Sequence, residues 1–181
     1  MNTYIALLRG INVGGKHILK MKDLVDLLET LGAQQVKTYI QSGNAVFKSN
    51  EMPSHLSDQI SQSIQQRFGF APHVLLLSQA EFEMAIRNNP FPQAESLPKT
   101  LHLGFLARSP EHPNLEGLEN LKSESEQYHL TEKVFYLYAP EGIGRSKLAT
   151  NSEKLLGVPM TDRNWNTIMK ISQLIESKEN E

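Results

Sequence analysis

The sequence contains no cysteine. Disulfides, thiolate metal sites and cysteine nucleophiles are therefore excluded. It also lacks any apolar run long enough to cross a bilayer. The apolar stretch nearest the start, Tyr4 to Leu8, follows no basic residue and is interrupted by Arg9, unlike a signal peptide. These absences lead to the expectation of a cytoplasmic protein with no membrane partner. A strong charge of one sign is missing too: the formal net charge is −2, which argues against a general polyanion binder. The 181 residues, 39% of them hydrophobic and 21% charged, suffice for one large domain or two small units with a real core.

The charges that are present are unevenly spread. Residues 1–22 carry Arg9, Lys16, Lys20 and Lys22 and no acid. Residues 111–132 carry Glu111, Glu116, Glu119, Glu124, Glu126 and Glu132 against Lys122 alone. A basic end focuses anionic ligands, whereas the acidic stretch reads as solvated helix faces.

Hydrophobic spacing gives an element order. Tyr4 to Arg9 reads as a buried strand. Met21, Leu24, Val25, Leu28 and Leu31 recur at helical spacing and stop at Gly32. Val36 to Gln41 and Ala45 to Lys48 read as a hairpin around the turn residues Ser42-Gly43-Asn44. Pro53 opens a helix marked by Leu56, Ile60, Ile64 and Phe68 and closed by Gly69. His73 to Leu77 is a strand, and Ser78-Gln79-Ala80-Glu81 spells a capping box for a helix ending near Asn89-Pro90. The order β-α-β-β-α-β is the split βαβ, or ferredoxin-like, unit.

A stretch with three prolines follows, and then the order repeats: strand 101–107, a helix on Leu115, Leu118 and Leu121, a hairpin of 128–130 with 134–138, and a helix from Ser146 to Leu156 closed by Gly157. A short strand near Val158-Pro159-Met160 completes the pattern. A last helix is read as beginning at Thr161 or Asp162, with Trp165 in the core. The predicted fold class is α+β: two ferredoxin-like βαββαβ units with extra helices and a C-terminal helix. The first unit is expected over residues 1–89, a proline-rich linker over 90–98, and the second unit with the C-terminal helix over 99–181. How two such units pack is left open by the sequence.

Four motifs together carry a resemblance. They are Ala6 to Lys16 (ALLRGINVGGK), Gln41-Ser42-Gly43-Asn44, Gly144-Arg145-Ser146-Lys147-Leu148 and Arg163-Asn164-Trp165-Asn166-Thr167. With them the chain resembles, over nearly its whole length, the bacterial family known as domain of unknown function 1697. The resemblance implies an α+β, ferredoxin-like fold. It implies no substrate, cofactor or catalytic residue.

The site candidates come from the residues themselves. Gly10 to Lys16 fits G-x-x-x-x-G-K, a phosphate-loop spelling. That loop needs Ser or Thr next, for magnesium, and the chain has His17. It also needs an acid at the end of a second buried strand, where Ser78 and Gln79 stand. A nucleotide hydrolase is thereby disfavoured. Two readings remain: Gly14 and Gly15 turn N–H groups toward an anion flanked by Arg9 and Lys16, with Asn12 orienting loop or ligand, or they only reverse the chain. Gly142 to Lys147 is a similar loop, with Ser146 as a helix N-cap and Lys147 beside it; taken singly, an ordinary capped helix start is the better reading of it. Gln41, Ser42 and Asn44 make a tight turn or an amide-bearing tip. Arg163 and Asn164 fall in the first turn of the last helix, where a cation is unfavourable by a few tenths of a kcal/mol and calls for a partner.

No histidine stands in a metal-binding pattern and Ser146 lies in no Gly-x-Ser-x-Gly elbow, so neither metal, cofactor nor catalytic group is predicted. A small anionic ligand is the favoured partner. Nucleic acid ranks second, since Tyr4 and Phe47 lie on strands that could stack bases, although core packing suits them better. A protein-interaction role without a ligand ranks third.

Overall fold

The computed structural model describes residues 1–179. Its first half contains β1 (Asn2–Arg9), α1 (Met21–Thr30), β2 (Gln34–Tyr39), β3 (Asn44–Ser49), α2 (Pro53–Phe68), β4 (His73–Ser78) and α3 (Gln79–Arg87). The sheet runs β2-β3-β1-β4 with every neighbouring pair antiparallel. A 3-10 turn at Pro92–Ser96 leads to β5 (Leu101–Leu106), α4 (Leu115–Leu121), β6 (Gln127–Leu130), β7 (Val134–Tyr138), a 3-10 turn at Ile143–Arg145, α5 (Lys147–Leu156), β8 (Met160–Asn164) and α6 (Trp165–Glu179). The second sheet runs β6-β7-β5-β8, again antiparallel throughout. Read from the last strand, both orders are fourth-first-third-second, which is the split βαβ topology twice over. The fold is α+β, with α3 and α6 additional to the two units.

The compact units are Met1–Ile86 with the chain from Met169 onward, and Arg87–Ile168. In the first, alternate residues of β1 and β3 (Tyr4, Ala6, Leu8, Ala45 and Phe47) form one face of the sheet. The apolar rows of α1 (Leu24, Leu27, Leu28) and α2 (Leu56, Ile60, Ile64) cover it. Each such Leu or Ile, fully buried, stabilises by about 1.5–3 kcal/mol. Tyr4 and Phe47 are core residues, 3% and 0% exposed, with ring centroids 6.3 Å apart. In the second unit Leu106, Phe135 and Leu137 pack with Leu118 of α4 and with Leu148 and Leu156 of α5.

Local signals hold the helix ends. Pro53 opens α2, and Gly69, at φ 81°, closes it in the left-handed region with its N–H on the Gln65 carbonyl. The capping box forms in full: the Ser78 N–H donates to Glu81 Oε2 at 2.9 Å, and the Glu81 N–H donates to Ser78 Oγ at 3.2 Å.

The start of the last helix differs from the sequence expectation. Thr161 and Asp162 do not begin it; they lie in β8, paired with Phe105 and Gly104. The cap is Asn164, whose Oδ1 accepts the Thr167 N–H at 3.0 Å. The cause is the free side of β5: backbone groups of 160–164 pair with it, and that ladder outweighs a local cap available two or three residues early. Arg163 is thus a strand residue opposite Leu103, not a cation at a helix N-terminus. Burial pulls its pKa down to about 10, with the charge of Asp162 acting in the opposite direction, so it stays cationic at neutral pH.

β8 also places a partly buried charge pair. His102 Nδ1 lies 2.7 Å from Asp162 Oδ2 and its Nε2 lies 3.1 Å from the Lys99 carbonyl. Both ring nitrogens face acceptors, an arrangement only the imidazolium satisfies. Burial opposes the charge, yet the hydrogen bond and charge of Asp162, with the Lys99 carbonyl, outweigh it and raise the His102 pKa. A histidine pKa raised on folding stabilises below its unfolded value, about 6.5, and that stabilisation is lost as pH climbs through the folded value. Asp162→Asn is therefore expected to lower Tm more at pH 5.5 than at pH 8. Equal losses at both pH values, measured by thermal melts, would show that the pair does not titrate in this range.

Candidate functional site

The loop after β1 is a miniature hairpin. The Asn12 N–H donates to the His17 carbonyl at 3.0 Å and the Lys16 N–H to the Val13 carbonyl at 3.0 Å. Gly14 and Gly15 between them have φ of 57° and 73°, the positive pair of a type I′ turn, which glycine adopts without strain. Two of the N–H groups that could face an anion are thus used inside the hairpin. Val13, Gly14, Gly15 and Lys16 are exposed at its tip, and Arg9 is exposed at the end of β1.

Asn12 holds this hairpin in place. Its Nδ2 donates to the Leu19 carbonyl at 2.8 Å and to the Gln41 carbonyl at 2.7 Å, and its Oδ1 accepts the Leu19 N–H at 2.9 Å. One side chain ties the loop both to the entry of α1 and to the β2–β3 turn. Its own φ of 52° is a left-handed value that asparagine tolerates better than most residues. His17 braces the other side, with Nδ1 2.9 Å from the Gly10 carbonyl and its ring stacked on Phe70 at 4.7 Å.

In the turn between β2 and β3, Gln41 and Ser42 are exposed and Asn44 is fully buried. The Asn44 amide donates to the Tyr39 carbonyl at 2.9 Å and to Ser42 Oγ at 3.0 Å, closing the turn on itself. Arg9, Asn12, Gly14, Gly15, Lys16, Gln41, Ser42 and Asn44 all belong to the first unit, and the Asn12–Gln41 bond joins the two loops that carry them.

Ser146, Lys147, Arg163 and Asn164 belong to the second unit. Ser146 is the N-cap of α5: its Oγ accepts the Ala149 N–H at 2.9 Å and the side chain is buried. Ser146 and Lys147 line a cavity of about 370 Å³ whose wall also includes Asn120, Ser123, Glu126, Glu141, Gly142 and Arg145. Gly142, at φ 94°, sets the bend that starts this loop. Arg163 and Asn164 are not among the lining residues.

Several of these groups escape a reading of the sequence. Arg145 stands inside a recognised motif, but its charge is not assigned to the site there. Glu126 belongs to the acidic stretch read as a solvated helix face. In fact α4 ends at Leu121, and Glu126 is only 5% exposed in the turn beyond it. Its Oε2 accepts the Ser123 N–H at 2.9 Å, and Ser125 Oγ donates to Glu141 Oε1 at 3.1 Å. The visible signal was Ser123-x-x-Glu126, a capping-box spelling with no helix after it.

Comparison with known proteins gives a family and a fold neighbour. The family model described as Protein of unknown function (DUF1697) matches residues 1–136. Among solved structures, the chain is similar to the conserved bacterial protein SP0830 from Streptococcus pneumoniae. The two are 27% identical, the match covers 96% of this chain and 98% of that one, and the TM-score is 0.69. No curated protein matches the sequence. No helix among the described residues is long and apolar enough to cross a membrane.

Proposed function

We propose, from the premise that this chain belongs to the DUF1697 family and that the family supplies no activity to carry over, that its second unit binds a small anionic, phosphate-bearing ligand at the loop from Gly142 to Lys147. The observation that carries this reading is the cavity of about 370 Å³ into which the chain brings Arg145, Ser146 and Lys147 at the start of α5. A volume of that order suits a small metabolite. The first turn of a helix presents N–H groups without intrahelical partners and the positive end of the helix dipole. Ser146 Oγ takes one of those groups, that of Ala149. Arg145 and Lys147, both exposed, add full charges on either side.

The loop from Gly10 to His17 is assigned a structural role, because Asn12 and the type I′ turn engage its polar groups within the protein. Nucleic acid is the weaker alternative, since the rings that would stack bases, Tyr4 and Phe47, are packed in the core.

The test is a thermal-shift panel of inorganic phosphate, nucleotides and sugar phosphates. A binder at a hundredfold excess over its Kd adds about 2.7 kcal/mol of stability. The double variant Arg145→Ala, Lys147→Ala is expected to lose that shift. Its own melting without ligand should move little, because exposed substitutions cost within about 0.5 kcal/mol. A panel with no shift at all, or an undiminished shift in the double variant, overturns the proposal.

A further inference from the structure

We infer that the ligand of this cavity carries a protonated amine as well as an anion, so that it binds as a zwitterion or an amino-phosphate. The inference rests on the anion reading above and deepens it. The cavity wall holds two carboxylates, Glu126 and Glu141, as well as the cations Arg145 and Lys147. Among the described residues these four groups form no ion pair with one another. Opposite charges lining one small cavity without neutralising each other suit a ligand that carries both signs.

Glu126 gives the sharper argument. The residue is only 5% exposed, yet its Oε1 is not among the described side-chain atoms that are sealed from solvent without a partner. Oε2 has the Ser123 N–H, but no described residue donates to Oε1. Oε1 is thus an open acceptor on a residue that lines the cavity. An ammonium suits it best, because charge-assisted hydrogen bonds are roughly twice as strong as neutral ones. Glu141, held by the Ser125 hydroxyl, lies on the same wall and adds a second negative charge for that ammonium. A divalent cation fits less well. It asks for about six oxygen ligands, and no group of three His, Asp or Glu residues gathers anywhere among the described residues.

The amine separates from the anion in a direct comparison of two probes. Phosphoethanolamine and propyl phosphate share a phosphate and a chain length and differ in ending on an ammonium or a methyl group. Their Kd values are measured by titration calorimetry at one ionic strength on the full chain. Phosphoethanolamine is expected to bind at least about tenfold more tightly, a modest demand on one charge-assisted hydrogen bond. Glu126→Gln keeps an acceptor for the Ser123 N–H and removes the charge. It is expected to bring the two probes within about twofold by weakening phosphoethanolamine alone. Equal affinities for the two probes in the wild-type protein overturn the amine inference and leave the anion reading standing. Failure of both probes to bind overturns the two together. The wild-type comparison decides the matter even if Glu126→Gln does not fold.

Discussion

Gly43→Ala is expected to destabilise the protein by about 3 kcal/mol, a fall in Tm of roughly 6–12 °C for a chain of this size. Two costs add. Gly43 has φ +84°, where an L side chain pays about 1–2 kcal/mol. A Cβ there would also lie 2.7 Å from Leu8 Cβ and 2.7 Å from Ile11 Cδ1. Ile11 Cδ1 can rotate away, but Leu8 Cβ cannot. Leu8 belongs to β1, which lies between β3 and β4 in the sheet, and its N–H donates to the Gly43 carbonyl at 2.8 Å. Relief therefore requires opening the sheet, and overpacking of that kind adds about 1–3 kcal/mol. Gly32→Ala is the internal control: φ is +86° and nothing lies within 4 Å of the added Cβ. Thermal melts of the two variants separate the backbone cost from the steric one. Equal losses would mean that the Leu8 contact yields freely.

The second large effect is expected at Asn12. Asn12→Asp preserves shape and removes both donors, setting a carboxylate oxygen against the carbonyls of Leu19 and Gln41, which now lie 2.8 and 2.7 Å from Nδ2. Two hydrogen bonds become two repulsions. Solvent reaches the Gln41 side of the contact and softens that part, so the expected cost is about 2–3 kcal/mol. The cost has a pH signature. The fold disfavours the ionised form, so the introduced carboxyl has a raised folded pKa, and the deficit against wild type should shrink as pH falls toward about 4. The Leu19 amide should meanwhile exchange faster with solvent in the variant at neutral pH, because the loop that closes over it is loosened. A deficit independent of pH, with unchanged Leu19 exchange, would mean that the Asn12 amide does not hold the loop.

Both positions show what the sequence does and does not disclose. Asn12 attracts attention as a polar residue inside Ile11-Asn12-Val13, and Gly43 as turn chemistry, but their partners lie 7 to 35 residues away and no local pattern names them. The repeated strand and helix order is legible because it rests on periodicity, caps and helix-ending glycines, all of them local. The start of α6 is not, because Thr161, Asp162 and Asn164 are all good N-caps, and pairing with β5 decides among them. The two halves carry the same local mark before their last strands. In the first, Gly69 ends a helix and the strand begins right after Pro72; in the second, Gly157 ends a helix and the strand begins right after Pro159. The cavity was half legible. Its basic side sits in a motif, whereas its acidic side is indistinguishable in sequence from solvated surface until burial of Glu126 marks it out.

The order in which the chain leaves the ribosome gives the discontinuous first unit a further consequence. Every strand of its sheet has been synthesised by Ser78, yet the unit takes its last segment from Met169 onward, after all of the second unit has emerged. The Lys37 ammonium, for example, finds the Ser177 hydroxyl at 3.2 Å only once residue 177 has been made. The later-made half, being continuous in the chain, can therefore finish folding before the earlier-made half is complete. During translation the first sheet keeps the cover that α1 and α2 give it until the segment from Met169 onward has emerged.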